Sequence, residues 1–140
     1  MIRTTWLKPV AVALACVASA TIGANLAASS KSKERVFEMR TYTAHAGKTE
    51  AMHKRFRDHT CKLFKKHGME LVGFWVPQDR KDELVYILAF PSRDAAKASW
   101  KGFQDDPEWK KVYAASHKDG PLVGKVVSTY MDPTDYSDIR

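Results

Sequence analysis

Three polar side chains that could bind or orient a ligand alternate along one predicted strand. Residues 36–43 (VFEMRTYT) alternate and are rich in β-forming residues, so Glu38, Arg40 and Tyr42 point to the same face. Charges at such a position need partners, because an unpaired buried charge is costly. One interpretation is a structural ion pair, at a dimer interface or with Lys125 of a neighbouring strand. The other is that the three groups line a largely apolar pocket and orient a ligand.

A second group of candidate ligand-binding residues is aromatic and follows a buried pattern. Its members are Trp75, Tyr86, Trp109 and Tyr113, and Trp100 and Phe103 share the pattern. Aromatic residues dominate protein cores, so core packing is the first interpretation. The second is an apolar pocket between a sheet and its helices that holds an aromatic or lipid-like ligand.

Motifs for other chemistry are weak. The histidines (His45, His53, His59, His67 and His117) contain no i, i+4 pair, so we expect no metal and no cofactor, with haem ligation by a histidine as the alternative. Cys61 lies in a predicted helix and is expected to be buried and inert. The chain has no glycine-rich phosphate loop and no G-x-S-x-G motif, which argues against nucleotide-dependent and hydrolytic enzymes. Cofactor-free chemistry stays open, and the residues alone do not decide whether the protein is an enzyme.

Basic residues are in excess and are concentrated on one predicted helix. The chain has 23 Lys and Arg against 16 Asp and Glu, a net charge of +7. Residues 47–67 carry seven Lys and Arg against Glu50 and Asp58. We expect no nucleic-acid partner, because no helix-turn-helix, zinc finger or RNP motif accompanies the charge. A solvated helix face is the first interpretation, and weak contact with an anionic membrane or an acidic protein is the second.

The first thirty residues resemble a targeting segment. Arg3 and Lys8 precede the small and apolar run 9–28, the order of a secretory signal peptide. We expect cleavage between Thr21 and Ser32, a linker at 31–35 and a periplasmic or secreted protein. An uncleaved membrane anchor, with or without lipidation near Cys16, and a mitochondrial presequence are the alternatives.

The remaining chain predicts one domain, 36–131, followed by a polar tail, 132–140. Its elements run β (36–43), α (47–67), β (69–76), β (84–90), two helices capped by Ser92 and Asp106, and β (123–131). This order predicts an α+β, ferredoxin-like antiparallel sheet with helices on one face and strand order 4-1-3-2. Segments 71–76 and 84–90 are apolar on both faces, and a second copy of the sheet would cover the uncovered face. The sequence therefore predicts a homodimer.

Four motifs occur in an order that resembles the NIPSNAP family. They are residues 37–43 (FEMRTYT), 47–48 (GK), 68–75 (GMELVGFW) and 106–109 (DPEW), and the resemblance spans about 36–131. It implies the dimeric α/β-barrel form of the ferredoxin-like fold, which small monooxygenases, haem-degrading enzymes and isomerases share. It also implies unsettled biochemistry. Eukaryotic relatives are mostly mitochondrial, whereas the short single domain and secretory-looking leader favour a bacterial, exported relative.

Together these features predict an exported dimeric domain that binds a small apolar or aromatic ligand between its sheet and helices. Cofactor-free monooxygenase- or isomerase-like chemistry would be its enzymatic form. The alternative is a non-catalytic module that presents the basic helix 47–67 to a protein or a membrane surface.

Overall fold

A computed structural model describes residues 35–140 as a four-stranded antiparallel sheet with helices packed against one face. The strands are β1 (Val36–Ala44), β2 (Glu70–Trp75), β3 (Glu83–Phe90) and β4 (Val123–Met131). Their order is β2-β3-β1-β4, so β1 and β3 are central. This confirms the α+β ferredoxin-like fold and the predicted strand order. The predicted targeting segment, 1–30, lies outside the described residues.

The first helical region contains a π-helical turn that the sequence analysis did not predict. Helix α1 (Thr49–Arg55), a π segment (Phe56–Thr60) and helix α2 (Cys61–Lys66) follow one another without a break. The region ends at Gly68, whose φ of +74° is the left-handed conformation that glycine adopts readily. The sequence analysis predicted a helix that ends at residue 67, and the structure agrees with that end.

Two further helices, α3 (Arg93–Asp105) and α4 (Pro107–Ser116), connect β3 to β4. Both begin at the predicted caps. The Ser92 hydroxyl accepts a hydrogen bond from the Ala95 amide at 3.1 Å, and the Asp106 carboxylate accepts one from the Glu108 amide at 2.7 Å. Each cap satisfies a backbone donor that a helix start leaves unpaired.

The sheet has an inner face against the helices and an outer face away from them. On β3 the fully buried Leu84, Tyr86, Leu88 and Phe90 belong to the core beneath the helices, while the residues between them face outward. In β2 the register shifts between Leu71 and Gly73. This bulge explains why segment 71–76 does not alternate, since one extra residue exchanges the faces of all that follow.

The tail after β4 folds back onto the outer face. Pro133 and Ile139 lie around a cavity that Phe37 and Ile87 also line, and Phe37 is 6% exposed. The Arg35 guanidinium donates a hydrogen bond to the Arg140 carbonyl at 3.1 Å. The tail therefore covers one end of the outer face and leaves the rest open. Between residues 35 and 140, no helix has the length and apolar character needed to cross a membrane.

Candidate ligand-binding cavity

A cavity of about 200 Å³ lies between the inner face of the sheet and the helices. Most of its wall is apolar, and six aromatic side chains contribute to it: Tyr42, Phe56, Phe64, Phe103, Trp109 and Tyr113. Polar groups enter the wall from Arg55, Thr60 and His117. The cavity is bordered by Tyr113 and Val126, which are 47% and 45% exposed. An apolar wall with a few convergent polar groups is the usual composition of a small-molecule site.

The π segment and the residue that precedes it supply three of the lining side chains. Arg55, Phe56 and Thr60 are all buried although they are neighbours around a single turn. The Thr60 hydroxyl donates a hydrogen bond to the Arg55 carbonyl at 3.2 Å, five residues earlier in the chain. A π turn widens the helix locally and occurs frequently at functional sites. Here it brings a cation and a hydroxyl to the same cavity wall.

The aromatic side chains form one connected cluster. The Tyr42 ring lies 5.7 Å from Phe56 and 5.3 Å from Tyr86, both with edge-to-face geometry. On the helix side, the Trp109 ring centroid is 4.4 Å from Phe103 and 5.6 Å from Tyr113. These separations lie near the preferred range for aromatic pairs. The cluster gives the cavity a rigid floor on the sheet and a wall on α4.

Glu38 and Arg40 share the inner face with Tyr42, but their side chains contact Trp100 of α3. The Glu38 carboxylate is 1% exposed and accepts hydrogen bonds from Arg40 at 2.8 Å, Trp100 at 2.5 Å and Ser128 at 2.6 Å. The Arg40 guanidinium also lies 4.3 Å from the centre of the Trp100 ring. Lys125 pairs with Thr43 in the sheet register, so the predicted ion pair with Lys125 is wrong. Glu38 and Arg40 instead pair with each other.

The groups around Arg40 offset the effect of its burial. Burial alone lowers the pKa of Arg40, but Tyr42, Tyr86 and the Glu38 carboxylate together raise it. The guanidinium and the carboxylate therefore neutralise each other beside the cavity rather than inside its lining. The second interpretation of Glu38 and Arg40, as ligand-orienting groups, stays a prediction.

The structure brings together some of the predicted aromatic residues and separates others. Tyr42, Trp109 and Tyr113 line the cavity. Tyr86 is fully buried behind Tyr42, and burial raises its pKa well above the usual range. Trp75 is 51% exposed and its ring covers Gly73, so the buried position predicted for it is wrong. The bulge in β2 turns it away from the core and onto the outer face.

Within residues 35–140, no group of three or more histidine, cysteine, aspartate or glutamate side chains is arranged to hold a metal ion. His67 is bonded to Asp106 at 2.7 Å, and His117 stacks on Tyr113 with a ring separation of 3.9 Å. Cys61 is half-buried rather than buried, and burial raises the pKa of its thiol. A raised thiol pKa means little thiolate at neutral pH, in agreement with an inert cysteine.

The basic helix face is largely neutralised. Lys54 pairs with Asp58, Arg57 with Glu50 and Lys66 with Asp106. Lys48 donates to the Asp119 carbonyl at 2.8 Å. Within the part of the chain that the structure describes, Lys62 and Lys65 are the exposed cations of this helix that form no ion pair.

The sequence analysis did not select Arg55, Phe56, Thr60 or Phe64 as site residues. Phe56 and Thr60 belong to the apolar stripe of the helix, which is a signal for burial and not for a cavity. Arg55 carries no signal at all, because arginine is ordinarily a surface residue.

The fold and the cavity define a single ferredoxin-like α+β domain with a sheet–helix site. The family profile described as NIPSNAP matches residues 37–138, which is most of the chain. The protein therefore belongs to the NIPSNAP family, as the resemblance of its motifs implied. Comparison with curated protein sequences finds no significant match.

Solved structures support the same assignment. A NIPSNAP family protein of unknown function from Agrobacterium tumefaciens is 27% identical, with a TM-score of 0.68, 77% of this chain covered and 96% of that one. A NIPSNAP-like domain protein from Burkholderia xenovorans is 13% identical, with a TM-score of 0.67 and coverages of 75% and 90%. A Nitrosomonas europaea protein whose name places it with the antibiotic biosynthesis monooxygenases is 12% identical, with a TM-score of 0.55 and coverages of 74% and 94%. At these last two identities the likeness concerns the fold alone.

Proposed function

We propose that the protein binds a small apolar or aromatic molecule in the sheet–helix cavity. The observation that carries this proposal is the cavity itself, a space of about 200 Å³ with six aromatic side chains in its wall. Pockets for drug-sized ligands measure roughly 300–1,000 Å³. An apolar cavity of about 150 Å³ engineered in another protein binds benzene. The size therefore suits a molecule with a single ring.

Catalysis in this cavity would be cofactor-free chemistry of the monooxygenase or isomerase type. The fold neighbour from Nitrosomonas europaea supports this reaction class by analogy of fold only. Among the described residues that line the cavity, none is a recognisable nucleophile with its own base. Ligand binding is accordingly the core of the proposal, and turnover is secondary to it.

The proposed assembly is a homodimer that buries the outer sheet face. Beyond the reach of the tail this face presents Met39, Val85, Val127 and Trp75, of which Val127 is 45% exposed and Trp75 51% exposed. An open apolar sheet face of this kind is ordinarily covered by another layer.

The proposed location of the protein is outside the cytoplasm, because residues 1–30 have the order of a secretory signal peptide. The intact mass of the protein isolated from its native host checks that leader, and retention of residues 1–30 would contradict cleavage.

The alternative function, a basic interaction helix, has less support. Most of its cations are paired, and Arg55 is buried. Among residues 35–140, the two exposed lysines of this helix without an ion pair, Lys62 and Lys65, form only a small positively charged surface.

Calorimetric titration of the full chain with benzoate and with benzamide tests ligand binding. Tyr113 and Tyr136 provide a matched pair of variants, because both are exposed but only Tyr113 lines the cavity. We expect binding of at least one probe, weakened roughly two- to tenfold by Tyr113→Ala through the loss of an aromatic contact. Tyr136→Ala should leave the affinity unchanged. Absence of binding by both probes would overturn the proposed function.

A further inference from the structure

Two arginines lie near the cavity, and in the part of the chain that the structure describes only one of them has an acidic partner. Arg40 pairs with Glu38 at 2.8 Å. Arg55 is 6% exposed, yet within residues 35–140 it forms no ion pair. Its Nη1 donates to the Ser116 hydroxyl at 3.2 Å, and its Nε has no hydrogen-bond partner among these residues. Arg55 therefore carries a buried charge with little compensation.

A second, more open groove that Arg55 also lines contains two acidic side chains, Asp58 and Glu108, and each of them lies near a lysine. Asp58 binds Lys54 at 2.5 Å, and Glu108 lies 3.9 Å from Lys66. The cavity lining itself, within the described part of the chain, includes no aspartate or glutamate. The interior of the cavity is consequently electropositive.

Aromatic rings compensate Arg55 only in part. Its guanidinium carbon lies 5.4 Å from the centre of the Trp109 ring and 5.9 Å from that of Tyr113. Both distances are near the outer limit of about 6 Å for a cation–π contact. Burial lowers the pKa of Arg55, partly offset by the neighbouring tyrosines. An anion inside the cavity would supply the compensation that the described residues do not.

We propose that the ligand is a single-ring carboxylate or a similar planar organic anion, whose charged group pairs with the Arg55 guanidinium while its ring packs against Trp109 and Tyr42. This inference rests on the proposed function and adds the chemical class of the ligand. A guanidinium is planar and matches a carboxylate with two parallel hydrogen bonds. Because Nη1 donates to Ser116, the edge of Arg55 left for a carboxylate is Nε with Nη2, and the buried Nε meets a ligand when the side chain shifts toward the cavity. The aromatic wall receives the ring. Arg55 thus favours ligands with a negative charge, and the aromatic wall favours ligands with a flat ring.

The comparison of benzoate with benzamide tests this inference in the unaltered protein. The two probes have the same ring and nearly the same size, and they differ in the charge of the group that would meet Arg55. A hydrogen bond to a charged partner contributes more than a neutral one, so we expect benzoate to bind at least about tenfold more tightly. Equal binding of the two probes would overturn the inference while leaving the proposed function standing. If neither benzoate nor benzamide binds, both this inference and the proposed function are overturned.

Substitution of the arginine gives the second measurement. Arg55→Met should abolish the preference for benzoate, whereas Arg57→Gln, which removes a 65% exposed charge from the same helical region, should retain it. Arg55→Met should also raise the melting temperature or leave it unchanged, because it removes an uncompensated buried charge and keeps the aliphatic packing. A variant that folds and still prefers benzoate would overturn the inference. If the variant does not fold, the comparison of probes in the unaltered protein still decides.

Discussion

The His67 imidazole lies 2.7 Å from the Asp106 carboxylate, and this contact joins the end of the first helical region to the start of α4. Lys66 approaches the same oxygen at 2.8 Å. Asp106 also caps α4 through the Glu108 amide. One carboxylate therefore links two helical regions that both contribute side chains to the cavity wall. Lys66 and His67 hold the pKa of Asp106 well below its usual range.

The pKa of Asp106 predicts a stability that depends on pH. Because the folded-state pKa is depressed, ionised Asp106 stabilises the fold above about pH 4, and this contribution is lost as the pH falls further. We expect Asp106→Asn to lower the melting temperature at pH 7 and the difference from the unaltered protein to shrink below about pH 4. Thermal melts at several pH values measure this. Asp105→Asn, at an exposed neighbour that binds Lys101 within α3, is the control and should have little effect.

Substitution of Glu38 is expected to weaken the fold. Glu38→Gln removes the charge that pairs with Arg40 and replaces one of the two acceptor oxygens by an NH2 group, which then faces a donor such as the Trp100 indole N–H. We therefore expect the free energy of unfolding to fall by about 2–4 kcal/mol. Ser128→Ala removes one of those donors and should cost less, about 1 kcal/mol. Urea denaturation compares the two variants. If Glu38→Gln keeps its stability but loses benzoate binding, the carboxylate serves the ligand and not the fold.

Two adjacent valines test the proposed dimer. Val126 and Val127 are each 45% exposed, but they lie on opposite faces of β4, since Val126 lines the cavity and its neighbour points outward. Val127→Lys places a charge in the proposed interface, and we expect it to convert the dimer to a monomer at micromolar concentration. Val126→Lys should leave the dimer intact. Light scattering on both variants and on the unaltered chain gives the masses, and a monomeric unaltered chain would contradict the dimer.

The sequence predicts the fold better than it predicts the site. The strands and both helix caps follow from local signals, namely hydrophobic alternation, Ser92 and Asp106. The strand order follows from the sequence of elements, which is that of a ferredoxin-like fold. Trp75 was misplaced because a bulge changes the register by one residue, and alternation alone does not show a bulge.

The sequence analysis also missed residues of the site. Arg55 was missed because an arginine in a basic helical segment predicts exposure, whereas the structure buries it against Trp109 and Ser116 of α4. The placement of Arg55 at the cavity is therefore a result of helix–helix packing, which hydrophobic periodicity in the sequence does not show.

Helix α4 has one consequence for the way a ligand enters. None of its residues is buried, although Trp109 and Tyr113 form part of the cavity wall. Asp106 anchors its first turn, whereas the turns beyond depend on few buried contacts. A segment of this kind opens locally at low free energy, well before the sheet unfolds. Amide protons of α4 should therefore exchange with deuterium far sooner than those of the central strands β1 and β3. An occupied cavity should slow that exchange, because opening α4 would then require release of the bound molecule.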